Sequence, residues 1–112
     1  MNMADVIKLV SGDSKPNITL TLTDSVTGAA YDVSAATTTV RVYFRKSGTT
    51  TTLSTITCTK TDAVNGIVTF DFSGGVLTSL DAGMYEGEIE IDINGATHTL
   101  FDLLRFRIRS EF

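Results

Sequence analysis

The sequence predicts an all-β fold, an antiparallel sandwich or barrel of about seven or eight short strands, and three observations carry that prediction. Residues 81–95, DAGMYEGEIEIDING, alternate Tyr85, Gly87, Ile89, Ile91 and Ile93 with Glu86, Glu88, Glu90 and Asp92. A period of two sets the aliphatics on one face and the acids on the other, the pattern of a half-buried antiparallel strand. The chain also contains nineteen Thr, one Pro and no Trp, and Thr suits pleated surfaces while disfavouring helix interiors. Finally, short alternating runs recur between turn signals, and no helical-period segment competes with them.

Taken in order, Val6 to Val10 reads as a first strand, broken by Ser11-Gly12-Asp13 and Lys15-Pro16. From Asn17 to Thr23, Ile18, Leu20 and Leu22 oppose Thr19, Thr21 and Thr23. Asp24 to Gly28 is turn-rich, and a short Tyr31-Asp32-Val33 segment follows. Val40, Val42 and Phe44 share a face within Thr38 to Arg45, opposite Arg41, Tyr43 and Arg45, and Lys46 to Thr52 reads as a loop at a hairpin tip. Leu53 to Thr61 alternates poorly, because Leu53 and Ile56 are out of phase, and a bulge near Ser54-Thr55 would reconcile them.

Asp62 to Gly66 reads as a reverse turn, and Val68, Phe70 and Phe72 share the inward face of Ile67 to Phe72. Ser73 to Gly83 is irregular, anchored to the core by Leu77 and Leu80. After the acidic strand, Asn94-Gly95 supplies the residues that most readily take positive φ, so a tight hairpin leads into Ala96 to Leu100. With a two-residue turn Ile91 lies beside His98 and Ile89 beside Leu100, placing His98 on the core side near the sheet end; a bulged turn would face it outward. Leu103 to Arg109 closes the chain, with Leu104, Phe106 and Ile108 opposite Arg105, Arg107 and Arg109.

At 112 residues the chain fits one domain, 1–112, that needs no metal or disulfide staple. Its formal charge is -4 and its basic residues are scattered apart from the C-terminal group, which argues against nucleic-acid binding through phosphate neutralisation. Cys58 is the only cysteine, so an intrachain disulfide is impossible and the redox compartment stays open. No signal-peptide pattern and no bilayer-length apolar run is present, and the expectation is a chain made in a cytoplasm with no membrane partner.

The residues describe no catalytic device. His98 is the only histidine, and its neighbours Thr97 and Thr99 offer no nucleophile elbow. One histidine and one cysteine do not make a structural zinc site, and Cys58 reads as a small core hydrophobe. Carboxylates at alternate positions of one strand point in parallel into water, whereas metal sites and acid/base pairs converge; Glu86, Glu88, Glu90 and Asp92 therefore read as a solvated face. No catalytic, cofactor-binding or metal-binding residue is assigned, and Gly12 to Pro16 reads as a connecting loop. Arg105, Arg107 and Arg109 are different, since three cations in a row repel one another unless acids oppose them. Either Glu86, Glu88 and Glu90 do so within the sheet, or an acidic partner does.

Five segments in succession resemble one family: Ala4 to Asp24 (ADVIKLVSGDSKPNITLTLTD), Thr39 to Thr51 (TVRVYFRKSGTTT), Asn65 to Phe72 (NGIVTFDF), Asp81 to Ile91 (DAGMYEGEIEI) and Phe101 to Phe112 (FDLLRFRIRSEF). They are similar to the N-terminal domain of phage baseplate upper proteins and to related short proteins encoded among tailed-phage structural genes. The resemblance implies an antiparallel immunoglobulin-like β-sandwich, no enzymatic activity, no cofactor, and a place in the virion, the protein being made in the bacterial host cytoplasm. Its implied partners are other phage structural proteins of the tail, baseplate, fibre, neck or capsid, and further copies of itself in a symmetric assembly. Larger members continue into stalk or receptor-binding regions whereas this sequence ends at Phe112, so an adaptor or cement role is expected. Head-shell decoration or a neck position is the alternative within the virion. The end of the domain is where such chains leave towards other components, which makes Arg105, Arg107, Arg109 and Phe112 the candidate partner-binding residues. Outside that family, a free-standing immunoglobulin-like carbohydrate or adhesion module would need an exposed aromatic platform, and a small β-sandwich hydrolase would need converging polar groups.

Overall fold

The computed structural model describes residues 6–15, 17–24, 26–78, 80–100 and 103–110. Among them there is no α-helix, and the chain runs through β1 (Val6–Val10), β2 (Ile18–Thr21), β3 (Thr38–Lys46), β4 (Ser54–Thr57), β5 (Thr59–Asp62), β6 (Ile67–Phe70), β7 (Gly83–Ile93), β8 (Ala96–Thr99) and β9 (Leu104–Arg109). The reverse turn expected at residues 62–66 is a 3-10 turn, Ala63–Asn65, ending on Gly66 at φ 71°. A Cβ there would lie 2.6 Å from the Tyr31 carbonyl oxygen and 2.8 Å from that of Leu22, so both the dihedral and the close backbone approach require glycine.

The acidic strand β7 is the axis of the larger sheet, whose order is β1-β9-β7-β3-β4 with β8 also paired to β7. β3 lines one edge of β7 from Thr38 opposite Ile93 to Lys46 opposite Tyr85. Two strands share the other edge, β8 against Glu90 to Ile93 and β9 against Gly83 to Gly87. Asn94 and Gly95 take φ 51° and 83°, the two-residue hairpin turn expected of an Asn-Gly pair. A smaller sheet is ordered β2-β6-β5.

Two expectations about the strands are corrected. The larger sheet is mixed, because β1 runs parallel to β9; alternation assigns faces but carries no information on strand direction. The poorly alternating stretch from Leu53 to Thr61 is two strands in different sheets, β4 on β3 and β5 on β6, which raises the count among the described residues to nine. No bulge occurs at Ser54-Thr55, where Tyr43 opposite Thr55 and Phe44 opposite Ser54 keep an even register. Leu53 remains half exposed, so it needs no reconciling. Cys58 is the crossover, buried with its N–H donated to the Val40 carbonyl at 2.9 Å. The register shift falls later, between Lys60 and Asp62.

The inward faces are those the alternation indicates: Val40, Val42 and Phe44, Tyr85, Ile89 and Ile91, and Leu104, Phe106 and Ile108 are all buried. They form one core with Ile18, Leu20, Val68, Phe70 and Phe72, and Leu77 anchors the irregular segment with Leu80 packed against it. At its centre Phe44 stacks on Tyr85 at 5.4 Å and meets Phe106 edge-on at 5.4 Å, while Phe72 meets Phe106 edge-on at 5.8 Å. Such pairs add about 0.5–1.5 kcal/mol each beyond their buried area.

Candidate partner-binding face

With Tyr85, Gly87, Ile89 and Ile91 of β7 buried, Glu86, Glu88, Glu90 and Asp92 stand on the outer face of the larger sheet, half-buried. Their partners come from β3, where Arg45 lies opposite Glu86 and Arg41 opposite Glu90. Arg45 Nε donates to Glu86 Oε1 at 2.8 Å and Arg45 Nη1 is 3.9 Å from Glu88, while Arg41 Nη1 is 3.4 Å from Glu90 and 3.7 Å from Asp92. The Tyr43 hydroxyl donates to Glu90 Oε1 at 3.0 Å, and desolvation followed by that bond pushes its pKa up. Two arginines of β3 thus engage the four acids of the column, whose carboxylates are spread along a strand rather than gathered round a point.

The arginine row of β9 occupies the other side of β7, exposed and outward. Arg105 lies opposite Glu86 and Arg107 opposite Met84, yet the Glu86 carboxylate turns to Arg45. Of the two readings of this row, pairing with Glu86, Glu88 and Glu90 is therefore not what forms. Among the described residues Arg105 and Arg107 make no ion pair, while the Arg109 guanidinium donates to the Ser110 carbonyl at 3.1 Å. Phe112 lies outside the described residues.

Sequence reasoning missed one cation. The parallel register of β1 puts Lys8 beside Arg107 and Val10 beside Arg109. Lys8, Leu9, Val10, Arg107 and Arg109 line a groove of about 350 Å³. Lys8 was legible as an outward residue between Ile7 and Leu9, but its neighbourhood depends on a pairing made across most of the chain.

His98 has the expected register opposite Ile91, but its side chain is exposed, not on a covered core side. Ala96 is exposed and Ile93 is 37% exposed, so this end of the hairpin lies at the margin of the packed core. Tyr31 lies against the ring, its hydroxyl 2.8 Å from Nε2 and the ring centroids 5.3 Å apart. Burial pushes the Cys58 thiol up to about 12, which suits a core residue and not a nucleophile. A second groove, about 490 Å³, is lined by residues that include Thr55, Thr57, Thr59, Thr69 and Asp71. Asp71 there is engaged locally, accepting from the Ser73 hydroxyl at 2.7 Å. No group of three metal-ligating side chains forms among the described residues.

No protein-family model matches this chain, and no curated protein matches it.

Proposed function

We propose that this chain is a structural component of a tailed-phage virion: an immunoglobulin-like β-sandwich that serves as an adaptor, attachment or cement piece of the tail, baseplate or fibre. The observation that carries the reading is the ordered resemblance of five segments, from Ala4 to Phe112, to the N-terminal domain of phage baseplate upper proteins. The basic edge supports it, since Lys8, Arg105 and Arg107 crowd together on a chain of net charge -4. Guanidinium groups make directional, bidentate pairs with carboxylates, so such an edge selects an acidic protein surface. In this reading the protein carries no catalysis and no cofactor, and it occurs in many copies bound to other virion proteins.

Replacing Arg105 and Arg107 together by Ala tests the reading without adding repulsion. The variant is expected to fold as the parent does and to be depleted from particles; normal incorporation of the folded variant would refute docking through this edge. Microscopy of virions carrying a tagged copy locates the protein. Label on the head shell or neck would move it there, and particles without label would overturn the virion assignment.

A further inference from the structure

We propose that the free edge of β1 is a docking site for an extended acidic segment of a partner protein, which adds as a further strand and sets its carboxylates against Lys8 and Arg107. The inference deepens the assembly reading and rests on it only for where the partner is found.

The larger sheet ends at β1. The parallel ladder continues past the strand as Ser11 N–H donated to the Arg109 carbonyl at 3.0 Å. In such a ladder alternate residues point the same way, so Ile7 and Leu9 turn their polar backbone groups to β9 while Val6 and Lys8 turn theirs outward. The Val10 carbonyl accepts from Asp13 N–H at 3.2 Å, which closes one end of the edge. Among the described residues no strand pairs with the outward groups of Val6 and Lys8. Proteins blunt such edges with proline, bulges or charge. β1 has neither proline nor bulge, its register running unbroken from Val6 opposite Arg105 to Val10 opposite Arg109. Its one guard is Lys8, beside an exposed Val6.

Charge selects the occupant. A strand added beside β1 lies about 5 Å from it and about 10 Å from β9, and its same-face residues repeat every 6–7 Å or so. Acids at alternate positions would then oppose Lys8 directly and meet the long side chains of Arg105 and Arg107 across β1. Apolar residues between them would extend the core rim at Ile7 and Leu9. A second copy of the chain is a poor fit, because its alternating acids sit on the central strand β7 and are already held by Arg41 and Arg45. The mode is strand addition, in which backbone hydrogen bonds supply affinity and alternate side chains supply selectivity.

The probe is a capped nine-residue synthetic peptide alternating glutamate with valine, titrated calorimetrically into the full chain at low and moderate salt. One-to-one binding that weakens with salt is expected. Lys8→Glu combined with Arg107→Glu, checked for folding by circular dichroism, should lose about tenfold or more in affinity. Two further peptides are N-methylated, one at every glutamate and the other at every valine. Only one alternate set can face β1, so one of the two should fail to bind and the other should bind as the parent peptide does. Absence of binding, or equal binding of both methylated peptides, overturns strand addition. Self-association of the chain that Lys8→Glu abolishes would overturn it in favour of a second copy. If the peptide fails while the Arg105/Arg107 alanine variant is still lost from particles, the docking mode is wrong and the assembly reading survives. If the peptide binds and that variant incorporates normally, the reverse holds.

Discussion

Gly87 sits on the inward face of β7, in extended backbone, at the point where three neighbours close in. A Cβ added there would lie 2.9 Å from Val42 Cγ1, 3.2 Å from Phe106 Cε2 and 3.5 Å from Leu104 Cβ. Val42, Phe106 and Leu104 are fully or almost fully buried, and a β-branched valine has little rotamer freedom with which to retreat. Two effects therefore compete in Gly87→Ala. Removing glycine from a strand interior favours the variant by about 0.5–1 kcal/mol through backbone entropy, while overpacking a filled core costs about 1–3 kcal/mol. The contact at 2.9 Å decides the sign, for a net loss of about 1–2 kcal/mol. Urea unfolding followed by circular dichroism should show a lower midpoint at unchanged slope. Combining Gly87→Ala with Val42→Ala should cost less than the two changes summed, because the shortened side chain vacates the clash. An alanine variant as stable as the parent would refute the close-approach reasoning.

Phe70→Ala removes a buried ring packed edge-on against Phe72 at 5.6 Å and should cost about 3–5 kcal/mol in the same assay; a loss below about 1 kcal/mol would contradict that placement. The Asp24 carboxyl accepts from Val26 N–H at 2.8 Å and Thr27 N–H at 3.1 Å, and those bonds hold its pKa below the ordinary 3.8. A depressed carboxylate contributes stability above its unfolded pKa that is lost as pH falls through the folded one. Thermal unfolding across pH should accordingly find Asp24→Ala less stable than the parent near neutrality, with the gap closing below pH 3.8; a constant gap would remove the ionised carboxylate as its cause.

The resemblance and the strand pattern bear on different questions. The pattern located β1 and β3 to their ends or within a residue, and it placed Phe106, Ile108 and Leu77 in the core. It was weakest between Leu53 and Thr61, because a chain that leaves one sheet for another changes its inward direction at the crossover, Cys58. Of the candidate site, Arg105, Arg107 and Arg109 were legible as an outward row on an inward-facing frame of Leu104, Phe106 and Ile108. Lys8 was not legible as their neighbour, and Phe112 falls outside the described residues.

What the sequence by itself determined is which side of the regularly alternating strands β2, β3, β6, β7 and β9 faces the core. Side chains alternate across a pleated backbone, and the cost of burying charge sorts Arg41, Glu86 and Arg105 from Val42, Ile89 and Phe106 without reference to distant residues. Beyond the hairpins at Lys46 to Thr52 and Asn94-Gly95, which join β3 to β4 and β7 to β8, the tertiary structure alone decided which strands are neighbours. A strand such as β7 has two equivalent edges, and nothing in its alternation says that β3 takes one while β8 and β9 divide the other. That choice gave the acids of β7 to Arg41 and Arg45, left Arg105 and Arg107 with no ion pair among the described residues, and brought Lys8 beside them through a parallel pairing. It depends on how connections of different length close round one core, a property of the whole chain and not of any segment.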